Sequence, residues 1–388
     1  MNRKEMEMTP EERREKVFHM GITLLSDTDR LNRASSAANT CVFYIGKTCY
    51  VLDPAFGKKR RKELAPLIRN ADTVHVLCTH YHNDHCANNG WVARKGSKIY
   101  YHHRIRRKIR YLRTNGTGQI RMMAREMELP GMLRRFKMFP GWMITAVLFS
   151  ARISTFFPAA FLFVVSYLYS LKNIGRIRSG WLKAAYLTPE TAVTLSLAGM
   201  NVMGWQVDDG LYAMEAPGHT DDHLVYYLAS DKVLFAGDAL NFLNGNDIQF
   251  GDIEQVHETL DFLHAFVAKE QVEVLFQGHY YPVFGTAAIL DHIDTIRNQH
   301  REMYTVACSV IAGMPDAFGF DDALAAFQTY PSELAHGLSK ITFPRSTLVF
   351  MDVYLLKVLH TSGYTRGKDR MWRRYAVTSP TSFKTNPL

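Results

Sequence analysis

The chain has 388 residues, of which 47% are hydrophobic and 21% charged, which excludes a disordered chain and leaves room for an ordinary catalytic core with a sizeable addition. Its net charge of +9 is unevenly placed: residues 94–183 hold 19 Lys or Arg against two acids, Glu126 and Glu128, so the rest of the chain is net acidic. A basic segment on an acidic body points to an anionic partner, either a membrane surface or a nucleic acid.

Met1 to Met20 is rich in charge and lacks an apolar core, so no secretory signal is expected there. The five cysteines, Cys41, Cys49, Cys78, Cys86 and Cys308, are odd in number and follow no framework spacing. Reduced thiols in a cytoplasmic chain are the expectation. Thr9-Pro10-Glu11-Glu12 reads as a helix start, with Thr9 as cap, Pro10 at the first helical position and Glu12 reaching back. Residues 41–53 read as two short strands around Gly46-Lys47, Val74 to Cys78 as a buried strand that runs into a histidine cluster, and Lys98 to His102 as a further strand. From His103 to about Lys137 the pattern is basic and helical. Residues 138–171 carry a single charge, Arg152, and Lys172 to Lys183 is basic again. Strand signals return from about Asn201, at 205–207, 211–214, 224–228, 233–236 and 272–276, and the pattern is mainly helical from Ile289 onward.

The chemistry is concentrated in Thr79-His80-Tyr81-His82-Asn83-Asp84-His85. On a loop after a strand, His80 and His82 alternate toward one point while Asp84 and His85 turn toward another. Imidazole and carboxylate are ligands that zinc and iron accept. Three single candidates follow: His219 in Ala216-Pro217-Gly218-His219-Thr220, Asp238 in Phe235-Ala236-Gly237-Asp238, and His279 in Phe276-Gln277-Gly278-His279. Each follows an apolar run and stands beside a glycine, where strand-end loops converge.

This ordered set resembles the metallo-β-lactamase superfamily, whose hallmark is a His-x-His-x-Asp-His cluster followed by single His, Asp and His ligands. The resemblance covers residues 41–101 and 205–285. It implies an α+β fold, the four-layer αβ/βα metallo-β-lactamase sandwich, here with a helical basic and apolar insert and a C-terminal helical extension. It also implies two divalent metal ions, with zinc expected and iron or manganese as alternatives. His80, His82 and His219 would hold the first metal, Asp84, His85 and His279 the second, and Asp238 would bridge. Asp84 and His223 are the candidate catalytic residues beside this set. His223 would contact substrate or donate a proton, or support the ligands from behind, and Asp53 would support them or merely make a turn. A water between two cations becomes a nucleophile near neutral pH, so Cys78 and Cys86 are read as packing residues. His75, His102, His103 and His264 are expected to be surface or packing residues. His82 stands where diiron oxygen reducers of this fold would carry a glutamate, which argues against that branch.

The expected organisation is a first half of the core over 1–102 with an N-terminal helix, a membrane-interacting insert over 103–200, a second half of the core over 201–288, and a helical extension over 289–388. The uncharged run 153–171 is about as long as one membrane crossing. The ligands before and after it must meet in one site, so crossings must be even in number, and residues 138–171 are too few for two. A shallow hairpin turning near Pro158, with Arg134, Arg135, Lys137, Lys172, Arg176 and Arg178 on its flanks, fits better. Buried helices of a lid or dimer contact are the alternative. The combined reading is a cytoplasmic metal-dependent hydrolase, peripheral or monotopic at a membrane surface, acting on an ester, thioester or phosphodiester of a small-molecule or lipid-like substrate. A nuclease that grips phosphates with the insert is less favoured, because nucleic acid has no use for a long uncharged run. A non-catalytic membrane-binding scaffold conflicts with seven intact ligands.

Overall fold

The protein is described by a computed structural model over residues 8–26, 37–93, 97–105, 184–197, 199–240, 251–335 and 350–374. Helix α1 (Pro10–His19) starts as its sequence requires: Glu12 N–H donates to Thr9 Oγ1 at 3.2 Å, and Thr9 N–H donates to the Glu12 carboxylate at 2.6 Å. A six-stranded sheet follows, in the spatial order β1 (Thr23–Leu25), β2 (Thr40–Ile45), β3 (Thr48–Leu52), β4 (Thr73–Leu77), β5 (Ile99–His102) and β6 (Ala184–Leu187). Its first two pairings are antiparallel, and β3 to β6 run parallel. The second sheet has seven strands ordered as a run: β7 (Val193–Leu197), β8 (Met200–Asp208), β9 (Leu211–Glu215), β10 (Leu224–Leu228), β11 (Val233–Phe235), β12 (Val274–Phe276) and β13 (Val283–Phe284). In this sheet β11 and β12 pair in parallel.

The period of two along a strand decides the layering. In β10, Leu224, Tyr226 and Leu228 face the first sheet, packing with Phe43, Tyr50 and Leu77. Val225 and Tyr227 face the other way, toward Leu260, Phe266 and Ile289. In β4, Val74 and Val76 face outward with Leu64, and Leu77 faces inward. Three apolar clusters therefore lie between four layers. The outer layers are helix α2 (Gly57–Ile68) with the short turns α3 (Asn83–Cys86) and α4 (Asn89–Val92) on one side. On the other lie α5 (Ile253–Glu270), α6 (Thr286–Ala312), α7 (Phe320–Gln328) and α8 (Phe350–Thr361). This is the expected four-layer sandwich with C-terminal helices.

One expected boundary differs from the structure. Two strands lie within the stretch expected to be insert: β6 closes the first sheet against β5, and β7 is the outer strand of the second. The signal was weak because β7 is mostly exposed, with Val193 at 47%, and so lacks an apolar stripe. The C-terminal extension is mainly helical as expected and also holds the hairpin β14 (Tyr364–Arg366) and β15 (Trp372–Arg374), where Trp372 is fully buried and its backbone exchanges hydrogen bonds with Phe318. The proposed hairpin 138–171 lies outside the described residues. Among the described residues, no helix is long and apolar enough to cross a membrane.

Candidate metal centre

All candidate ligands stand at one edge of the sandwich, where the parallel strands end. β4 leads into the loop and turn carrying His80, His82, Asp84 and His85. β9 leads to His219, β11 to Asp238 and β12 to His279. The structure brings together all seven residues expected from the sequence, in two groups: His80, His82, His219 and Asp238, and Asp84, His85 and His279. In the first group, His82 Nδ1 lies 2.9 Å from His80 Nε2 and 3.0 Å from His219 Nε2, so three ring nitrogens face one point. In the second, Asp84 Oδ2 lies 3.2 Å from His279 Nε2 and 3.9 Å from His85 Nε2. Asp238 stands between them. Its Oδ1 is 3.2 Å from His85 Nε2, and its Oδ2 is 3.5 Å from His279 Nε2 and 3.6 Å from His219 Nε2.

The protonation pattern of these rings follows from their outer contacts. Asp53, held at φ 46° just after β3, accepts hydrogen bonds from Thr79 N–H at 2.9 Å, Thr79 Oγ1–H at 2.7 Å and His85 Nδ1–H at 2.8 Å. Thr79 Oγ1 then accepts from His80 Nδ1–H at 3.0 Å. With their Nδ1 atoms protonated toward Asp53 and Thr79, His85 and His80 present bare Nε2 lone pairs to the cluster. Asp53 is thus a support for two ligands and not merely a turn residue. The sequence could indicate its turn but not these three donors, which come from Thr79 just after β4 and from His85 in the turn α3. Thr79 went unassigned for the same reason.

Burial pushes the imidazoles of His80, His82 and His219 down, so they are neutral donors. His85 and His279 are pushed up despite burial, because the Asp238 carboxylate faces both, His279 to about 9. Asp238 is held well below the usual carboxylate range despite its own burial, by His85 and His279. His85 Nε2 and Asp238 Oδ1, though near each other, form no hydrogen bond and are buried. Buried charge of this kind needs a compensating cation. The donor set, five ring nitrogens and two carboxylates, suits a pair of divalent metal ions.

Glycines leave space for this packing. A Cβ on Gly278 would stand 1.9 Å from Asp238 Oδ1 and 2.8 Å from His85 Cε1. Gly237 has φ +51°, and a Cβ there would stand 2.9 Å from His223 Nε2.

His223 does not face substrate. It is 1% exposed, its ring stacks on His80 with centroids 5.0 Å apart, and its Nε2 accepts the Asp238 backbone N–H at 3.1 Å. Of its two expected roles, contact with substrate and support of the ligands from behind, this placement favours the second. Asp84 keeps an exposed edge, at 35%. Cys78 and Cys86 are buried, with their thiols directed to the carbonyls of His80 and Tyr81, and burial raises the Cys78 thiol well above its ordinary range. Neither is an activated nucleophile. His264 makes a surface pair with Asp294 at 3.4 Å, and His75 packs edge-on against Tyr50 and Tyr100. His102 is more than packing, since it hydrogen-bonds Glu215.

Comparison with known proteins agrees with this geometry. The family described as the metallo-beta-lactamase superfamily matches residues 36–126 and 206–279, on either side of most of the insert. The chain is 27% identical over 109 residues to a hydroxyacylglutathione hydrolase of Methylococcus capsulatus. That stretch is 26% of this chain and 41% of the relative, so the chain matches less than half the length of that protein. Among solved structures, a beta-lactamase domain protein from Burkholderia ambifaria is 12% identical with a TM-score of 0.54, covering 92% of this chain and 93% of the other. A metallo-beta-lactamase family protein from Thermus thermophilus is 16% identical with a TM-score of 0.48, covering 92% and 99%. At such identities the likeness concerns the fold.

Proposed function

We propose that this chain, whose residues 36–126 and 206–279 match the metallo-beta-lactamase superfamily, is a binuclear metal-dependent hydrolase of an ester, thioester or phosphodiester bond. The observation that carries this reading is the Asp238 carboxylate, which faces both groups of ligand atoms, its Oδ2 lying between His219 of the first and His279 of the second while Oδ1 faces His85. When bound, a pair of divalent ions, zinc before iron or manganese, supplies Lewis acidity and a nucleophile at neutral pH. The chain's own residues do the rest. Asp53 and Thr79 fix the tautomers of His85 and His80, and His223 fixes the backbone of Asp238. Asp84 and His279, partly exposed as His82 is, form the side open to substrate.

The finer reading concerns the substrate. The similarity to a hydroxyacylglutathione hydrolase of Methylococcus favours a thioester. The sequence of residues 138–171, almost free of charge between basic flanks, favours an amphiphilic substrate at an anionic membrane surface. The test uses the purified full chain. Metal content is measured first, then turnover of acyl thioesters of short and long chain, a soluble aryl ester and an aryl phosphodiester, each with and without vesicles containing anionic lipid. Two metals per chain and a long-chain thioester or ester cleaved faster with vesicles are expected. A metal-free chain that turns over nothing would overturn the hydrolase. Turnover indifferent to vesicles, with tight and salt-steep RNA binding, would overturn the membrane reading in favour of a nucleic acid enzyme.

A further inference from the structure

Outside the metal cluster, a second set of polar contacts joins the two sheets at the same edge. β5 ends at His102, beside the strand that delivers His80, and β9 ends at Glu215, four residues before His219. His102 is 2% exposed. Its Nε2–H donates to Glu215 Oε1 at 2.7 Å, and its Nδ1 accepts the Arg104 backbone N–H at 3.3 Å. Trp205 closes over this ring edge-on, with centroids 5.9 Å apart. Both ring nitrogens are used, so the imidazole is a fixed strut that holds the turn 102–104. From that turn Arg104 extends its guanidinium to the other sheet, where Nη1 donates to the carbonyl of Asp221 at 2.7 Å. Asp221 lies two residues after His219, in the tight loop closed by Gly218 N–H to Thr220 O at 3.2 Å.

We propose that Arg104 is a positioning residue for the first metal position, anchored by the His102–Glu215 pair and acting through the loop that carries His219. The inference rests on the metal-dependent reading above. Arg104 reaches none of the loops that carry Asp84, His85 or His279, so its effect falls on one of the two positions. Partners that orient ligands from outside the coordination sphere typically change metal affinity by about 10–100-fold.

The test compares full-length wild type with Arg104→Met and Arg104→Lys. Zinc is titrated against a chromophoric chelator to obtain the two dissociation constants, with His219→Ala and His279→Ala identifying which constant belongs to which position. Unfolding of each metal-free protein is measured alongside. In Arg104→Met the constant of the first position should weaken by about 10–100-fold, with the second unchanged and metal-free unfolding close to wild type. Arg104→Lys should recover most of the affinity, because an ammonium can donate to the same carbonyl. If both constants stay at wild-type values, or both fall together with the metal-free melting temperature, Arg104 is only a surface staple and the proposal fails. A wild-type chain that takes up no zinc overturns the metal reading itself, and that result is read without any variant.

Discussion

The two candidate metal positions are built from the same kinds of side chain but at different depths. In the first, His80 is 1% exposed, and the side chains of His219 and Asp238 are 2% and 5% exposed. In the second, His85 is fully buried, but the side chains of Asp84 and His279 are 35% and 15% exposed. The first is a socket whose ligands arrive from both sheets. The second is half socket and half mouth. Burial pushes the imidazoles of the first group down, whereas the Asp238 carboxylate pushes those of His85 and His279 in the second up despite burial. Depth teaches which position holds its ion and which meets the substrate: the second metal is expected to leave first under a chelator.

The comparison is broken most severely at the residue the two positions share. Asp238→Ala should lose metal at both and lose more activity than the roughly 100-fold that removal of an outer partner costs, while circular dichroism keeps the folded signature. Two metals still bound with unchanged turnover would refute the bridging role.

Asp53→Asn sharpens the contrast. Asp53 touches His85 directly but reaches His80 only through Thr79. Affinity should drop by about 10–100-fold at the second position and by less at the first, read as two steps in a chelator titration. Equal losses at both would mean that the loop moves as one body.

The smallest effect is expected behind the cluster. His223→Ala leaves the Asp238 N–H without its acceptor in a buried place, which costs about 1–3 kcal/mol of stability, yet removes no ligand. Denaturant unfolding of the metal-loaded protein should show that loss while metal content stays at two. Loss of one metal would make His223 a ligand after all.

The sequence alone was enough to pick out the candidate ligands. Metal ligation demands particular side chains at strand ends, and His80 to His85, His219, Asp238 and His279 each follow an apolar run and stand beside or within a turn, so local pattern and chemistry coincide. The strands at 41–53, 74–78, 211–214, 224–228 and 233–236 were legible because burial on both faces leaves nearly unbroken apolar runs. What only the tertiary structure decided are partnerships between distant segments. Asp53 meets His85 and Thr79, His223 meets the backbone of Asp238 and not the cleft, and His102 meets Glu215 across the two sheets. The edge strand β7 and the hairpin β14–β15 also emerged only in the fold. The reason is the same in each case: periodicity reports how much of a segment is buried, and an exposed edge buries little. A hydrogen bond between residues far apart in the chain leaves no trace in the local pattern of either partner.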